Sequence, residues 1–254
     1  MLNQHKHPRE VRILALAGLP ELTPEHDLGA LLARAADEVD GLEDGDVVVV
    51  AQKAVSKVEG RVVELATVEP SARALELAGR EGDPRHMEVI LRESREVLRS
   101  RPPLVIAETH HGFVCASAGV DASNAPADEV LVLLPVDPDA SARALCERLR
   151  VLANRTVGVV VSDSFGRAWR QGTTDVALGV AGITPLRDLR GATDARGREL
   201  RSTVIAVADE LAGAAELVMG KADGVPAAIV RGLDLAGAGT GRELVMPREQ
   251  DLFR

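Results

Sequence analysis

The sequence predicts a mixed fold, either α/β or α+β, built around an aliphatic core. Segments with helical periodicity alternate with short apolar runs of strand length along the whole chain. This pattern excludes a helical bundle and a β-sandwich. The 254 residues include only three Phe, one Trp and no Tyr, so Val, Leu, Ile and Ala must fill the core. A chain of this length buries enough surface to fold without disulfides or a structural metal.

Four segments show the spacing of amphipathic helices. The apolar positions between residues 26 and 41 recur every three or four residues, and the helix is expected to end at Gly41. A second helix is predicted over 87–98, ending before a pair of prolines. The remaining two are predicted over 140–152 and 204–219.

Six apolar runs predict strands. Those at 46–51 and 157–162 lack polar alternation, which indicates strands covered on both faces. The shorter strands are expected at 104–108, 112–117, 130–134 and 227–231. The segment 170–201, rich in Gly, Thr, Asp and Arg, is either a small inserted subdomain or a long functional loop.

Composition narrows the classes of partner. Thirty basic and thirty-nine acidic residues give a formal net charge of −9, which repels nucleic-acid backbones and anionic lipid. Two cysteines make no disulfide framework, which suits a reducing compartment. No apolar run is long enough for a signal peptide or a membrane span. We therefore expect a cytoplasmic protein that binds neither nucleic acid nor membrane.

Common nucleotide and zinc motifs are missing. The Gly220-Lys221 pair lacks the earlier glycine of a P-loop, and no HExxH or paired Cys and His spacing of a zinc site occurs. Cys115 falls in a predicted strand and is expected to be a small core residue rather than a nucleophile.

Two polar segments each permit a functional and a purely structural interpretation. The segment 53–60 places two lysines and a serine directly after a predicted strand, as either a phosphate contact or a solvated turn. In the segment 118–124, Asp121 stands among small residues and is followed by Ser123 and Asn124. This second segment fits a loop that approaches a ligand closely or an Asx-turn.

The segment 162–172 is the densest in functional side chains. Asp163 and Ser164 offer carboxylate and hydroxyl oxygens, which hard divalent cations prefer, at the end of a predicted strand. Arg167 and Arg170 supply forked donors for a phosphate or a carboxylate, with the only Trp, Trp169, between them. Together the three segments describe an acidic protein that handles an anionic ligand with a metal ion and a few cations, as phosphoryl transfer requires.

The same segments resemble the coenzyme F-420-0:gamma-glutamyl ligase family over nearly the full chain. The matching motifs, in the family's order, are Gly18-Leu-Pro-Glu-Leu22, Ser56-Lys57-Val-Glu59-Gly60, Ala118-Gly119-Val120-Asp121-Ala-Ser123-Asn124, Ser162-Asp163-Ser164-Phe-Gly166-Arg167, Met219-Gly220, Val225-Pro226 and Val230-Arg231-Gly232-Leu233. The resemblance implies a two-domain α+β fold with mixed sheets and flanking helices that forms an intertwined homodimer. It implies one gamma-glutamyl ligase unit over 1–254, without the nitroreductase-like domain fused to some members.

The resemblance also implies an activity, that of a GDP-forming acid–amino-acid ligase. GTP would activate the phospholactate carboxylate of the deazaflavin coenzyme F-420 precursor as an acyl phosphate, which the amine of L-glutamate would attack. Further glutamates would join through the γ-carboxylate. The family requires Mg²⁺ or Mn²⁺ and is helped by K⁺.

Residue roles carry over at the matching positions. Asp121 and Asp163 would hold metal, with the hydroxyl of Ser164 on a second ion. Arg167 is added to the catalytic set on the strength of its own donors, and Arg170 is expected to contact substrate for the same reason. The residues expected along GTP are Leu19, Pro20, Glu21, Leu22, Gln52, Lys53, Lys57, Asn124, Met219, Gly220, Lys221, Ala222, Asp223, Gly224, Val225 and Pro226.

Three positions depart from the family pattern. Lys221 stands where archaeal members carry an acidic residue that contributes to the second metal, so second-ion coordination is in doubt or Lys221 replaces some of its charge. Ala168 replaces a frequent Pro, and Gln52-Lys53 replaces a small hydroxylated pair. Two alternatives stay open: a related metal-dependent amide ligase acting on another carboxylate, and a non-catalytic deazaflavin or nucleotide binder, which the Lys221 departure favours.

Overall fold

The computed structural model describes residues 10–253, which form one five-stranded sheet, three smaller sheets and flanking helices. The predictions about the N-terminal segment fall partly on residues 1–9, outside the described residues. The helices are α1 (Leu28–Asp37), α2 (Gln52–Val58), α3 (Ala72–Ala78), α4 (Pro84–Glu93), α5 (Pro138–Ala153) and α6 (Val207–Met219). The strands are β1 (Arg12–Leu16), β2 (Val47–Ala51), β3 (Val62–Glu64), β4 (Ser94–Arg101), β5 (Leu104–Thr109), β6 (Val114–Ala116), β7 (Val130–Val132), β8 (Gly158–Arg167), β9 (Arg170–Ala181), β10 (Leu186–Asp188), β11 (Val204–Ala206) and β12 (Ala227–Arg231).

The large sheet has the strand order β1-β12-β2-β8-β9. Its only parallel pair among the described strands is β2 with β8, and the register places Ala51 opposite Ser162. β2 therefore ends at this edge of the sheet beside the middle of β8, whose outer half continues beyond it paired with β9 alone. This edge is where the candidate site lies.

Helices cover both faces of this sheet, which explains the unbroken apolar runs of β2 and β8. Val48 and Val50 pack into a core with α1 and α5, whereas Val47 and Val49 pack on the opposite face against α6. A third apolar core lies over 65–133, where α3 and α4 pack against the sheets β4-β5-β6 and β3-β7. The prediction of a mixed α+β fold with flanking helices is confirmed.

Two sequence predictions are wrong, both because strand pairing overrides local periodicity. The helix predicted over 87–98 ends at Glu93, and Val97 and Leu98 lie in β4, paired with β5. The polar loop predicted after 157–162 is instead the outer half of β8, which pairs with β9 as far as Arg167 and Arg170. Both pairs are hairpins of consecutive strands, and their cross-strand hydrogen bonds do not show in the spacing of apolar residues along one segment.

The segment 170–201 divides between elements. Its first part is β9, an edge strand of the large sheet, and β10 pairs with β11 beyond it. The helix predicted from 204 begins at Val207, because the residues before it form β11. Across 10–253, no helix combines the length and the apolar character needed to cross a bilayer.

Candidate active site

A cavity of about 440 Å³ opens where β2 ends beside Ser162 on β8. Because these strands are parallel and in register, the start of α2 after β2 lies beside Asp163 and Ser164 on β8. The outside of the carboxyl ends of parallel strands is where α/β proteins commonly bind ligands. The chain brings three further segments to this opening, around Leu19, Asn124 and Gly220.

Nearly all residues predicted along the nucleotide line this cavity. The lining set shared with the prediction is Leu19, Pro20, Glu21, Leu22, Gln52, Lys53, Lys57, Asn124, Met219, Gly220, Lys221, Gly224, Val225 and Pro226. Ala222 and Asp223 are not part of the lining; they are exposed in the loop between Lys221 and Gly224. The structure thus gathers segments that are far apart in the sequence around one opening.

Helix α2 contributes the cationic wall. Lys53 and Lys57 are one helical turn apart and line the cavity on the same face. The ammonium of Lys57 donates to Glu21 Oε1 at 2.6 Å, which ties α2 to the segment 19–22. A compact ammonium on a flexible stem suits a phosphate group.

Gln52 is buried at the inner end of the same wall. Its Oε1 accepts a hydrogen bond from Ser56 Oγ at 2.9 Å, whereas its Nε2 has no hydrogen-bond partner within the described part of the chain. A buried donor without a hydrogen-bond partner lowers the stability of the protein. A ligand oxygen that accepted a hydrogen bond from this amide would remove that cost.

An oxygen-rich cluster of side chains on β8 and β9 forms another part of the cavity wall. Asp175 on β9 lies opposite Ser164, and its two carboxylate oxygens accept hydrogen bonds from Ser162 Oγ at 2.9 Å and Ser164 Oγ at 2.7 Å. Burial raises the pKa of Asp163 to about 7, and the negative charges of Asp175 and Asp121 add to that rise. Desolvation and the proximity of Asp175 also raise the pKa of Glu216, on α6. A cation at this wall would relieve the repulsion.

The cluster fits a hard divalent cation whose coordination is completed by substrate. Within 10–253 no three or more His, Cys, Asp and Glu side chains are grouped as a protein-only metal site. Mg²⁺ in phosphoryl-transfer sites uses one or two carboxylates together with substrate phosphates, and it does not need such a cage. Asp163, Asp175 and the Ser164 hydroxyl supply that donor chemistry beside a cavity large enough for phosphates.

Asp121 lies next to the cavity in a different setting. Its Oδ2 accepts from Lys53 Nζ at 2.6 Å and from Ser123 Oγ at 2.8 Å, and Lys221 Nζ lies 3.9 Å from the same oxygen. Burial raises the pKa of Asp121, but the hydrogen bonds from Lys53 and Ser123 outweigh it, so the pKa is lowered. Asp121 is an ionised, lysine-paired carboxylate.

The two arginines of the segment 162–172 lie away from the cavity. Arg167 and Arg170 face each other at the exposed end of the β8–β9 hairpin, and neither lines the cavity. Trp169, between them, is 82% exposed and contacts Phe253. The catalytic role of Arg167 stays a prediction, because Arg167 does not line the cavity formed by this chain.

The sequence analysis missed Asp175 and Glu216, which both line the cavity. Glu216 precedes Met219 by three residues on a predicted helix, so helical spacing from an expected site residue could have identified it. Asp175 could have been found only from the hairpin register, because it is opposite Ser164 in space and eleven residues away in sequence.

Comparison with known proteins shows the family of this chain. The model of the family described as F420-0:Gamma-glutamyl ligase matches residues 18–232. The protein named coenzyme F420:L-glutamate ligase of Methanothermobacter thermautotrophicus is 44% identical over 250 residues, covering 96% of this chain and 99% of that protein. The protein of the same name from Methanopyrus kandleri is 47% identical over 241 residues, or 92% and 94% of the two chains.

The similarity spans every segment that lines the cavity. A third protein of the same name, from Methanocaldococcus jannaschii, is 45% identical over 216 residues, covering 84% of this chain and 86% of that protein. The chain belongs to the F420-0:gamma-glutamyl ligase family and is an enzyme of the acid–amino-acid ligase class.

Proposed function

We propose that this protein joins L-glutamate to the phospholactate carboxylate of the deazaflavin coenzyme F-420 precursor at the expense of GTP. The observation that carries the proposal is the cavity itself, which is lined both by Lys53 and Lys57 and by the oxygen cluster of Asp163, Ser164 and Asp175. That pairing suits a polyphosphate with a divalent cation. The names of the relatives supply the two substrates to be joined.

In the first step, a carboxylate oxygen of the precursor attacks the γ-phosphorus of GTP. A new P–O bond forms, the bond to the β-phosphate oxygen breaks, and GDP leaves behind an acyl phosphate. Lys53 and Lys57 are placed to neutralise phosphate oxygens, since the attack otherwise brings two anions together. Gln52 Nε2 supplies a further donor on the same wall.

A divalent cation, when bound, would lower the negative charge of the phosphate groups. Asp163 would hold it, and Asp175, whose orientation is fixed by the two serine hydroxyls that donate to it, would support that site from β9. Mg²⁺ or Mn²⁺ is the proposed ion, with K⁺ as an activator.

In the second step, the amine of L-glutamate attacks the acyl carbon. A C–N bond forms, the C–O bond to phosphate breaks, and the amine loses a proton as inorganic phosphate leaves. A repeat of both steps on the γ-carboxylate of the added glutamate would extend the tail. We also propose that the chain has two domains, that it forms an intertwined homodimer and that it is located in the cytoplasm.

The test is a product assay with purified protein, glutamate-free precursor, L-glutamate, GTP and Mn²⁺, followed by chromatography and mass spectrometry of the deazaflavin. A product heavier by one or more glutamyl units, formed only with GTP, is expected. Asp163→Ala should abolish it, whereas Asp188→Asn, at an exposed carboxylate on β10, should not. GTP consumption without glutamate addition would instead indicate another carboxylate acceptor.

A further inference from the structure

Ser56 is a fully buried polar residue on α2 that lies behind the cavity wall and is not part of its lining. Its Oγ donates a hydrogen bond to Gln52 Oε1, one helical turn earlier, at 2.9 Å. Gln52 does line the cavity, although it is only 1% exposed. Ser56 can therefore influence a ligand in the cavity only through the side chain of Gln52.

The hydrogen bond from Ser56 determines which end of the Gln52 amide is left for a ligand. A primary amide has one oxygen that accepts hydrogen bonds and one nitrogen that donates them. The oxygen is occupied by Ser56 Oγ, whereas Nε2 has no hydrogen-bond partner among residues 10–253. The free group is a donor, so the ligand that satisfies it must bring an acceptor oxygen.

The neighbours of Gln52 indicate that this oxygen is anionic. Lys53 and Lys57 line the same cavity from the same helix, and their ammonium groups favour negative charge there. A hydrogen bond to a charged oxygen is about twice as strong as a bond between neutral groups. A phosphate oxygen would therefore gain from the lysines and from the buried amide together.

We propose that Ser56 is a positioning residue of the nucleotide site, which occupies Gln52 Oε1 and thereby holds Gln52 Nε2 as a donor to a phosphate oxygen of the bound nucleotide. The inference rests on the proposed function, because the nucleotide is the one consumed in that reaction. Ser56 itself touches no substrate. Its contribution to nucleotide affinity must then disappear when Gln52 cannot donate.

The experiment measures the Kd of GDP with Mn²⁺ by calorimetry for the wild type, Gln52→Met, Ser56→Ala and the double variant. Methionine has nearly the length of glutamine but no donor, so Gln52→Met should raise the Kd about tenfold or more. Ser56→Ala should raise it by a smaller factor in the wild type and should change nothing further beside Gln52→Met. Guanosine, which has no phosphate, should bind all four proteins equally.

Two further variants sharpen the comparison. Gln52→Glu keeps an acceptor for Ser56 but turns a carboxylate oxygen towards the phosphates, so it should weaken GDP binding more than Gln52→Met does. Ser141→Ala is the matched control, because Ser141 is a buried serine whose hydroxyl donates to Glu59, just after α2, and does not contact the cavity. It should leave the Kd of GDP unchanged.

Urea unfolding without ligand provides an independent measurement. The double variant Gln52→Met, Ser56→Ala replaces a hydrogen-bonded pair by apolar groups and removes the unpaired Nε2 donor. It should therefore unfold at a higher urea concentration than the wild type, even though it binds GDP more weakly.

Three results overturn the proposal: an unchanged Kd of GDP in Gln52→Met, an equal effect of Ser56→Ala with and without Gln52, or a double variant that unfolds at a lower urea concentration than the wild type. The binding and unfolding measurements need no turnover. Glutamate addition by a protein that gives any of these results would refute only this inference. The expected binding pattern in a protein that adds no glutamate would refute only the proposed function.

Discussion

Asp175 accepts a hydrogen bond from Ser164 Oγ at 2.7 Å across the β8–β9 pair, and so connects the edge strand to the residue that follows Asp163. Asp175 is 4% exposed, and its second oxygen is occupied by Ser162 Oγ. A buried carboxylate held by two hydroxyls has one fixed orientation. This rigidity makes the pair a supporting structure for a cation on the cavity wall.

Asp175→Asn should reduce glutamate addition by roughly 10–100-fold, the usual effect of weakening the groups that support a metal ligand. The amide has nearly the shape of the carboxylate but lacks its charge. The measurement is the rate of product formation against Mn²⁺ concentration, in which the half-saturating concentration should rise. Unchanged Mn²⁺ dependence, with Asp188→Asn as the control, would remove Asp175 from the metal-supporting role.

Asp163→Asn should stabilise the metal-free protein at high pH. Burial raises the pKa of Asp163 from 3.8 to about 7, so the folded protein holds this proton more tightly than the unfolded chain does. The contribution of Asp163 to stability is therefore full below pH 4 and is lost as the pH rises to 7. At 1.36 kcal/mol per unit, the loss is at most about 4 kcal/mol.

The corresponding measurement is urea unfolding in a chelator at pH 4.5, 6 and 8. The difference between Asp163→Asn and the wild type should grow in favour of the variant as the pH rises. Saturating Mn²⁺ with GDP should reverse it, because the wild type alone then gains a ligand. A pH-independent difference would show that Asp163 ionises in the folded state as it does in water.

Arg231→Ala should lower the free energy of unfolding by about 3–5 kcal/mol. Arg231 donates to both oxygens of Asp46, at 2.9 and 2.8 Å, and Asp46 is only 1% exposed. Removing the guanidinium leaves a buried charge without its partner. Chemical denaturation measures the loss, and Arg12→Ala is the control, because its pair with Asp40 is exposed and should contribute at most about 1 kcal/mol.

Gly119→Ala should destabilise the loop that carries Asp121. Gly119 has φ of +72°, and an added Cβ would lie 2.7 Å from Leu134, which is almost fully buried. Backbone strain and overpacking together should cost about 2–4 kcal/mol. Gly172→Ala is the matched control, since its φ is +79° with no atom within 4 Å of the new Cβ, so it isolates the strain. Equal losses in thermal unfolding would rule out crowding against Leu134.

Local patterns in the sequence were sufficient where burial alone decides the structure. β2 and the inner half of β8 are apolar because helices cover both faces of the sheet, and both of these segments were predicted as strands. The nucleotide-facing residues were predicted from motifs, and most of them line one cavity. A sequence motif can therefore predict which residues share a site, although it gives no distances between them.

Only the tertiary structure decided which elements pair and which charges meet. Val97 and Leu98 continue a helical spacing, yet they belong to β4 because β5 supplies its hydrogen bonds. The register of β8 with β9 places Asp175 opposite Ser164 in the site. Lys53 donates a hydrogen bond to Asp121, which is 68 residues away in the sequence. Such contacts depend on loop closure and on the packing of distant segments, whereas the residue types that make the chemistry were already determined by the sequence itself.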